Sequence, residues 1–134
     1  MKLLGLIIIV CVLVSLVQPH KEVVQVDRVI DGDTLILKDG RKVRLLQINA
    51  PEKGQCGYEA ATKRLSQLAQ GEIEIESDPM FGDTDKYGRL LRYVHDDVNV
   101  NVVLEQEDLV DTMFYEGKQG KYAHLMTGTG SCAT

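Results

Sequence analysis

The chain has 134 residues, of which 44% are hydrophobic and 26% charged, and a formal net charge of −5. That is material for one compact domain and little more, so a second is not expected. The acid excess excludes a broadly basic surface, so an anionic ligand must be drawn by local charges rather than by the field of the whole molecule.

The N-terminus is distinct, with Lys2 ahead of an apolar run from residue 3 to 17 that is broken only by Gly5, Cys11 and Ser15. Such a run fits the core of an export signal and falls short of the roughly 20 residues that cross a bilayer comfortably. Residues 1–20 therefore read as a signal peptide. Because neither Leu13-Val14-Ser15 nor Val17-Gln18-Pro19 makes a clean cleavage site, an N-terminal membrane anchor is the alternative. The bulky Ile9-Val10 ahead of Cys11 argues against lipid attachment there. Residues 21–134 are the folded domain.

Residues 22–30, rich in valine with a two-residue alternation, read as a strand. Asp31-Gly32 turns the chain into a second strand over 34–38. Asp39-Gly40, a strong hairpin dipeptide, leads into a third over 42–48. Pro51 ends it, since proline offers no ladder donor. On this reading Arg44 and Glu52 stand at the two ends of the third strand. From 58 to 70 the period changes, with Ala61, Leu65 and Leu68 on one face of an amphipathic helix closed by Gly71. Glu72-Ile73-Glu74-Ile75-Glu76 alternates without a break, placing isoleucines inward and carboxylates in water. A polar loop over 77–88 and a fifth strand over 90–95 follow. A second helix over 99–107 is capped by asparagine, and a short extended piece spans 109–115. Five strands with a helix between the third and fourth match an α+β fold built on a small Greek-key barrel of the OB type, an architecture that presents a nucleic-acid binding face.

Three clusters carry chemistry. They are Asp31-Gly32-Asp33-Thr34, Arg44-Leu45-Leu46-Gln47-Ile48-Asn49-Ala50-Pro51-Glu52 and Asp85-Lys86-Tyr87-Gly88-Arg89. Singly, the first reads as an ordinary turn, and Lys86 and Arg89 read as loop cations paired with neighbouring acids. In this order and spacing the three resemble the staphylococcal (micrococcal) nuclease, or thermonuclease, family over about residues 23–115. The resemblance implies a five-stranded OB-type barrel with two packed helices, or three if the C-terminal helix forms. Residues 122–126 offer only about a turn and a half before Thr127-Gly128-Thr129-Gly130, so that helix is expected to be short or absent.

The resemblance also implies a calcium-dependent endonuclease of low sequence specificity. It would act as a monomer on DNA and RNA, preferably single-stranded, and leave 3′-phosphate ends. A membrane would be met only through the N-terminal segment. Cleaving a phosphodiester needs an activated water, a neutralised phosphate and stabilisation of the charge that builds up in the transition state. By resemblance Arg44, Glu52 and Arg89 are the catalytic residues, with Glu52 as general base. Arginine can donate paired hydrogen bonds to phosphate, which lysine cannot reproduce. Asp33, Asn49 and the carbonyl of Ala50 are the Ca2+ ligands, hard oxygens of the kind calcium takes. Lys86 and Tyr87 flank an outer phosphate, and Tyr115 stacks on a base, with Phe114 competing for that role and core packing as the alternative for Tyr115. Three departures stand out. Asn49 replaces the usual aspartate, which predicts weaker metal binding; Ala50 replaces the usual threonine; and the C-terminus is short.

Cys56 and Cys132 are the candidate pair for one disulfide, worth about 4–5 kcal/mol in the chain-entropy model, with two free thiols as the alternative. His95 and His124 have no partner at metal spacing and read as structural or surface residues. Two other function classes compete with the enzyme. One is a catalytically silent barrel that binds nucleic acid or protein. The other is a surface-anchored module for other anionic ligands, to which the acidic composition lends no support.

Overall fold

The computed structural model describes residues 19–127. The apolar run with Cys11, and Cys132, lie outside the described residues.

Strand β1 (Lys21–Asp31) is long because it serves two neighbours. Its first half runs antiparallel to β5 (Glu72–Glu76), Lys21 opposite Glu76 and Gln25 opposite Glu72. Its second half runs antiparallel to β2 (Thr34–Leu37). Register shifts between Val26 and Arg28 and again between Val29 and Asp31 bend the strand from one partner to the other, as bulges do. The alternation sends Val24 and Val26 into the core while Val23, Gln25 and Asp27 face water.

The Asp39-Gly40 turn, with Gly40 at φ +90 where a side chain would be strained, reverses β2 into β3 (Lys42–Leu45). Strand β3 then pairs in parallel with β6 (Leu90–Asp96), Arg44 opposite Leu91, and β6 pairs with β5. These contacts close β1, β2, β3, β6 and β5 into a five-stranded mixed barrel, the expected α+β architecture of OB type. Its interior is filled by Leu35, Leu37, Val43, Leu45, Ile73, Ile75 and Val94, all 2% exposed or less.

Helix α1 (Tyr58–Leu68) stands on the barrel with Ala61 and Leu65 fully buried. It sits close because residue 32 is glycine: a Cβ there would come 2.6 Å from Cβ of Ala61 and 2.8 Å from that of Ala50. Helix α2 (Val100–Gln106) begins at Asn99, whose side chain accepts from Val102 N–H. It is held by Asn101, fully buried, which accepts from Val94 N–H at 2.9 Å and donates to the Leu46 carbonyl at 2.9 Å.

Four expectations are corrected. The strand expected over 42–48 ends at Leu45, because the chain turns at Leu46–Gln47, where Gln47 adopts φ 65. Residues Ile48–Asn49 then form a separate strand, β4, which pairs not with the barrel but with Asp111–Thr112. Arg44 and Glu52 are therefore not the ends of one strand. Helix α1 stops at Leu68, two residues early. Third, Glu76 is fully buried rather than in water, because the C-terminal segment folds over it. Lys121 Nζ lies 3.2 Å from its Oε2, and Tyr122 Oη donates to Oε1 at 2.9 Å. Fourth, of the extended piece expected over 109–115 only Asp111–Thr112 is strand, and Tyr115 opens a 3-10 turn.

Where a third helix was in question, the described residues contain a 3-10 turn at Ala123–Leu125. That segment is held by buried acids. Asp78 Oδ2 accepts from Tyr93 Oη at 2.7 Å and from Lys121 N–H at 2.9 Å, and Glu105 accepts from Thr127 N–H at 2.9 Å. Hydrogen bonds to buried carboxylates, at about 1.5–3 kcal/mol each, take the place of helix packing.

Candidate nucleic-acid site

The turn between β1 and β2 is drawn tight by Asp31, whose Oδ1 accepts from Asp33 N–H at 3.0 Å. Asp33 is thereby pointed inward and buried. Its Oδ1 accepts from Thr34 Oγ1 at 2.9 Å and its Oδ2 from Ala50 N–H at 2.7 Å, joining the turn to the end of β4. Burial, and then the negative charge of Asp33, push the Asp31 carboxyl above its ordinary range.

Arg44, on β3, reaches into the same group. Its Nη1 donates to the carbonyls of Leu45 and Ile48 at 2.7 and 2.8 Å. Its Nη2 lies 3.3 Å from both Asp33 Oδ2 and Asn49 Oδ1, and 3.8 Å from Met113 Sδ. Burial lowers its proton affinity, Asp33 opposes that, and Arg89 adds to it. An arginine lowered in this way still remains a cation. The influence of Arg89 follows from topology, because the parallel β3–β6 pair sets the loop before β6 beside Arg44.

That loop is organised by Asp85, which accepts from the backbone N–H of Tyr87 at 2.9 Å and of Arg89 at 3.0 Å, and from Arg89 Nε at 2.7 Å. Burial would raise the Asp85 carboxyl, but these donors outweigh it and hold it below its ordinary range. The pairing of Arg89 with a neighbouring acid is thus present together with its place at the cleft. Tyr87 is 70% exposed, its ring flanked by Lys86 Nζ at 5.1 Å and the Arg89 guanidinium at 5.3 Å.

A cleft of about 470 Å³ brings Arg44, Lys86, Tyr87, Arg89, Tyr115 and Lys118 to one surface. Tyr115 lines it and Phe114 does not, and with 61% of its surface exposed Tyr115 is no core residue. Asp33, Asn49 and Ala50 do not line the cleft and lie on the Asp33 side of Arg44. Glu52 is exposed on the following loop, its N–H bonded to Gln55 Oε1 at 2.7 Å and its carbonyl accepting from Gln55 N–H at 2.8 Å, and it too is outside the cleft lining. Cys56, on the same loop, is disulfide-bonded, while Cys132 lies outside the described residues. His95 is half-buried against Glu76 and Tyr122, and His124 is exposed.

Among the described residues no three His, Cys, Asp or Glu side chains gather as a metal site. The available donors are oxygens: Asp33, the Asn49 amide, the Ala50 carbonyl and, half-buried beside Asp33, Asp31. All of these are hard oxygens of the kind calcium takes, and a cation beside Asp31 would offset the burial, and then the Asp33 charge, that raise its carboxyl. Sequence reasoning passed over Asp31 as a donor, although it stands in the same motif. It also passed over Gln47, which stands inside the second motif, and Met113 and Lys118, which belong to none; all three line the cleft.

No family model matches the sequence. The chain is 32% identical over 108 residues to a protein named micrococcal nuclease from Shigella flexneri, covering 70% of this chain and 60% of that one. It is 35% identical over 111 residues to endonuclease YncB of Bacillus subtilis, covering 74% and 52%. It is 38% identical over 101 residues to the thermonuclease of Staphylococcus intermedius, covering 67% and 59%. The chain thus spans between half and about three fifths of the length of these curated relatives. Barrel topology, the order of the three motifs and these identities together support the micrococcal nuclease (thermonuclease) family for this chain.

Proposed function

We propose that the domain hydrolyses phosphodiester bonds of DNA and RNA, preferably single-stranded and with little sequence specificity, in a calcium-dependent reaction that leaves 3′-phosphate ends. The observation that carries this reading is the meeting of Arg44 and Arg89 at one cleft, with the exposed Tyr87 and Tyr115 on its walls. Two guanidinium groups can grip one phosphate by paired hydrogen bonds, and aromatic faces take bases of any identity.

In the reaction Arg44, its Nη1 fixed by two carbonyls, turns Nη2 to the phosphate oxygens. Arg89, braced at Nε by Asp85, donates from its terminal nitrogens. Both gain as negative charge builds on the phosphoryl oxygens. Glu52 takes a proton from the attacking water, whose oxygen bonds to phosphorus. The bond to the 5′-oxygen breaks and that oxygen takes a proton from solvent, to which Glu52 returns the one it accepted, so one product carries a 3′-phosphate and the other a 5′-hydroxyl. A calcium ion held by Asp33, Asn49 and the Ala50 carbonyl, with Asp31 beside them, would supply charge neutralisation and an acidified water. We assign residues 1–20 to export or anchoring, which places the activity outside the cytoplasm.

A barrel that binds nucleic acid without cutting it is the second reading, favoured by the exposure of Glu52 outside the cleft lining. Digestion of single-stranded DNA and of RNA across a calcium series, with chelator and with Glu52→Gln, separates the two. Cleavage abolished by chelator and by the substitution supports the nuclease. Binding without cleavage at any calcium level supports the silent barrel.

A further inference from the structure

Gln47 is an unusual residue for the place it occupies. It sits in the turn between Arg44 and Asn49 at φ 65, a left-handed conformation that a non-glycine side chain disfavours, and it is 4% exposed. Nothing about the turn itself demands a long amide there. The amide is instead used by a distant segment. Gln47 Oε1 accepts from Gly120 N–H at 2.8 Å, and Nε2 donates to the carbonyls of Met113 at 3.2 Å and Lys118 at 3.4 Å. The backbone joins in, since the Gln47 carbonyl accepts from Met113 N–H at 2.7 Å.

The bonded segment, residues 113–120, forms one wall of the cleft and carries Tyr115 and Lys118. No regular element stiffens it: β7 (Asp111–Thr112) ends before it, and it contains a single 3-10 turn at Tyr115–Gly117. Beyond Gly120 it is pinned again, by Lys121 N–H to Asp78 Oδ2 at 2.9 Å. Gly120 must be glycine, because a Cβ would collide with the Tyr93 hydroxyl and meet Asp78 Oδ2 at 2.8 Å. Between the end of β7 and Gly120, the Gln47 amide therefore makes three bonds that fix this wall to the floor from which Arg44 and Asn49 project, beside the longer contact of Arg44 Nη2 with Met113 Sδ at 3.8 Å.

We propose that Gln47 is a positioning residue for nucleic acid: it sets the distance between the floor that holds the phosphate and the wall whose Tyr115 and Lys118 hold the adjoining nucleotide. This rests on the nuclease reading of the cleft. Gln47 touches no reacting atom, so its loss should weaken substrate capture and leave turnover of bound substrate nearly intact. Removing both faces of the amide corresponds to roughly a tenfold effect on affinity.

The test uses the full chain, with Gln47→Met, which keeps length and removes every side-chain bond, and Gln47→Glu, which keeps an acceptor for Gly120 N–H but sets oxygen against the Met113 and Lys118 carbonyls. Amide hydrogen exchange without nucleic acid reads the wall directly, and kcat and KM are measured on a short single-stranded oligothymidylate. Expected are faster exchange at Met113 and Gly120, KM raised roughly tenfold and kcat within about twofold in both variants. The KM effect should shrink when Gln47→Met is made in a Tyr115→Ala background, leaving the part carried by Lys118, because residues acting through one wall are not additive. Unchanged KM in a variant whose wall has loosened, or full additivity with Tyr115→Ala, overturns the inference while the nuclease reading stands. A wild-type chain that cleaves nothing refutes the nuclease reading, and this inference with it.

Discussion

Arg44 Nη2 lies 3.3 Å from Asp33 Oδ2, so the more buried of the two cleft arginines is also the counter-charge of the carboxylate assigned to the metal. The phosphate and metal functions proposed for this site would therefore share one hydrogen-bonded group. A change on the metal side must be felt by the arginine.

Asn49 is the point at which that group is short of charge. Its Oδ1 lies 3.3 Å from Arg44 Nη2. Asn49→Asp adds a carboxylate beside Asp33 and should tighten calcium binding by about tenfold or more. Calorimetric titration with calcium reads this, and an affinity unchanged by the substitution would place the ion elsewhere.

Asp31 makes a prediction of the opposite sign for stability. Burial and Asp33 raise its folded-state pKa above 3.8, so its favourable contribution is present below that pH and is lost as pH rises through the folded value. At neutral pH without calcium the ionised carboxylate is a liability. Asp31→Asn, whose amide oxygen can still accept from Asp33 N–H, should raise Tm in chelator by about 2–5 °C. Added calcium should then stabilise the wild type more than the variant. A lower Tm in chelator would contradict this.

Glu76 governs the acid limb. Burial alone would raise its pKa, but donation from Tyr122 and Lys121 outweighs that and brings it below 4.5, and Asp78 is likewise held below 3.8. Their contribution is complete above the unfolded values and is lost as pH falls through the lower folded ones. The C-terminal segment should accordingly release below about pH 4. Glu76→Gln should cost about 2 kcal/mol at pH 7 and flatten the acid dependence, as read by urea unfolding across pH. A variant with unchanged acid dependence would assign that limb to other carboxylates.

Much of this fold could be read from residues in order. Val24 and Val26, the Asp39-Gly40 turn, and Ala61 with Leu65 are local signals, and the chain obeyed them. What escaped was non-local. Glu76 completes an alternating run, and its burial depends on Lys121 and Tyr122, some 45 residues later. The end of β3 escaped because Gln47 bears none of the usual turn chemistry, and its left-handed backbone is held by bonds to residues 113–120. At the site, the motifs named Arg44, Arg89, Lys86 and Tyr87, which share the cleft, whereas the parallel β3–β6 pairing that unites them has no local signature. Glu52 came from the same motif and stands outside the cleft lining, because the strand expected to carry it ends at Leu45.

The most direct test of the central claim, that Arg44 and Arg89 act together on one phosphate, is single-turnover cleavage of a short single-stranded DNA by Arg44→Lys and Arg89→Lys, with circular dichroism to establish that each is folded. Lysine keeps the charge and loses the paired donors, so each variant should cleave about 10²–10³-fold more slowly while the fold persists. Near-wild-type rates in both folded variants would contradict the account and remove the cleft from the chemistry.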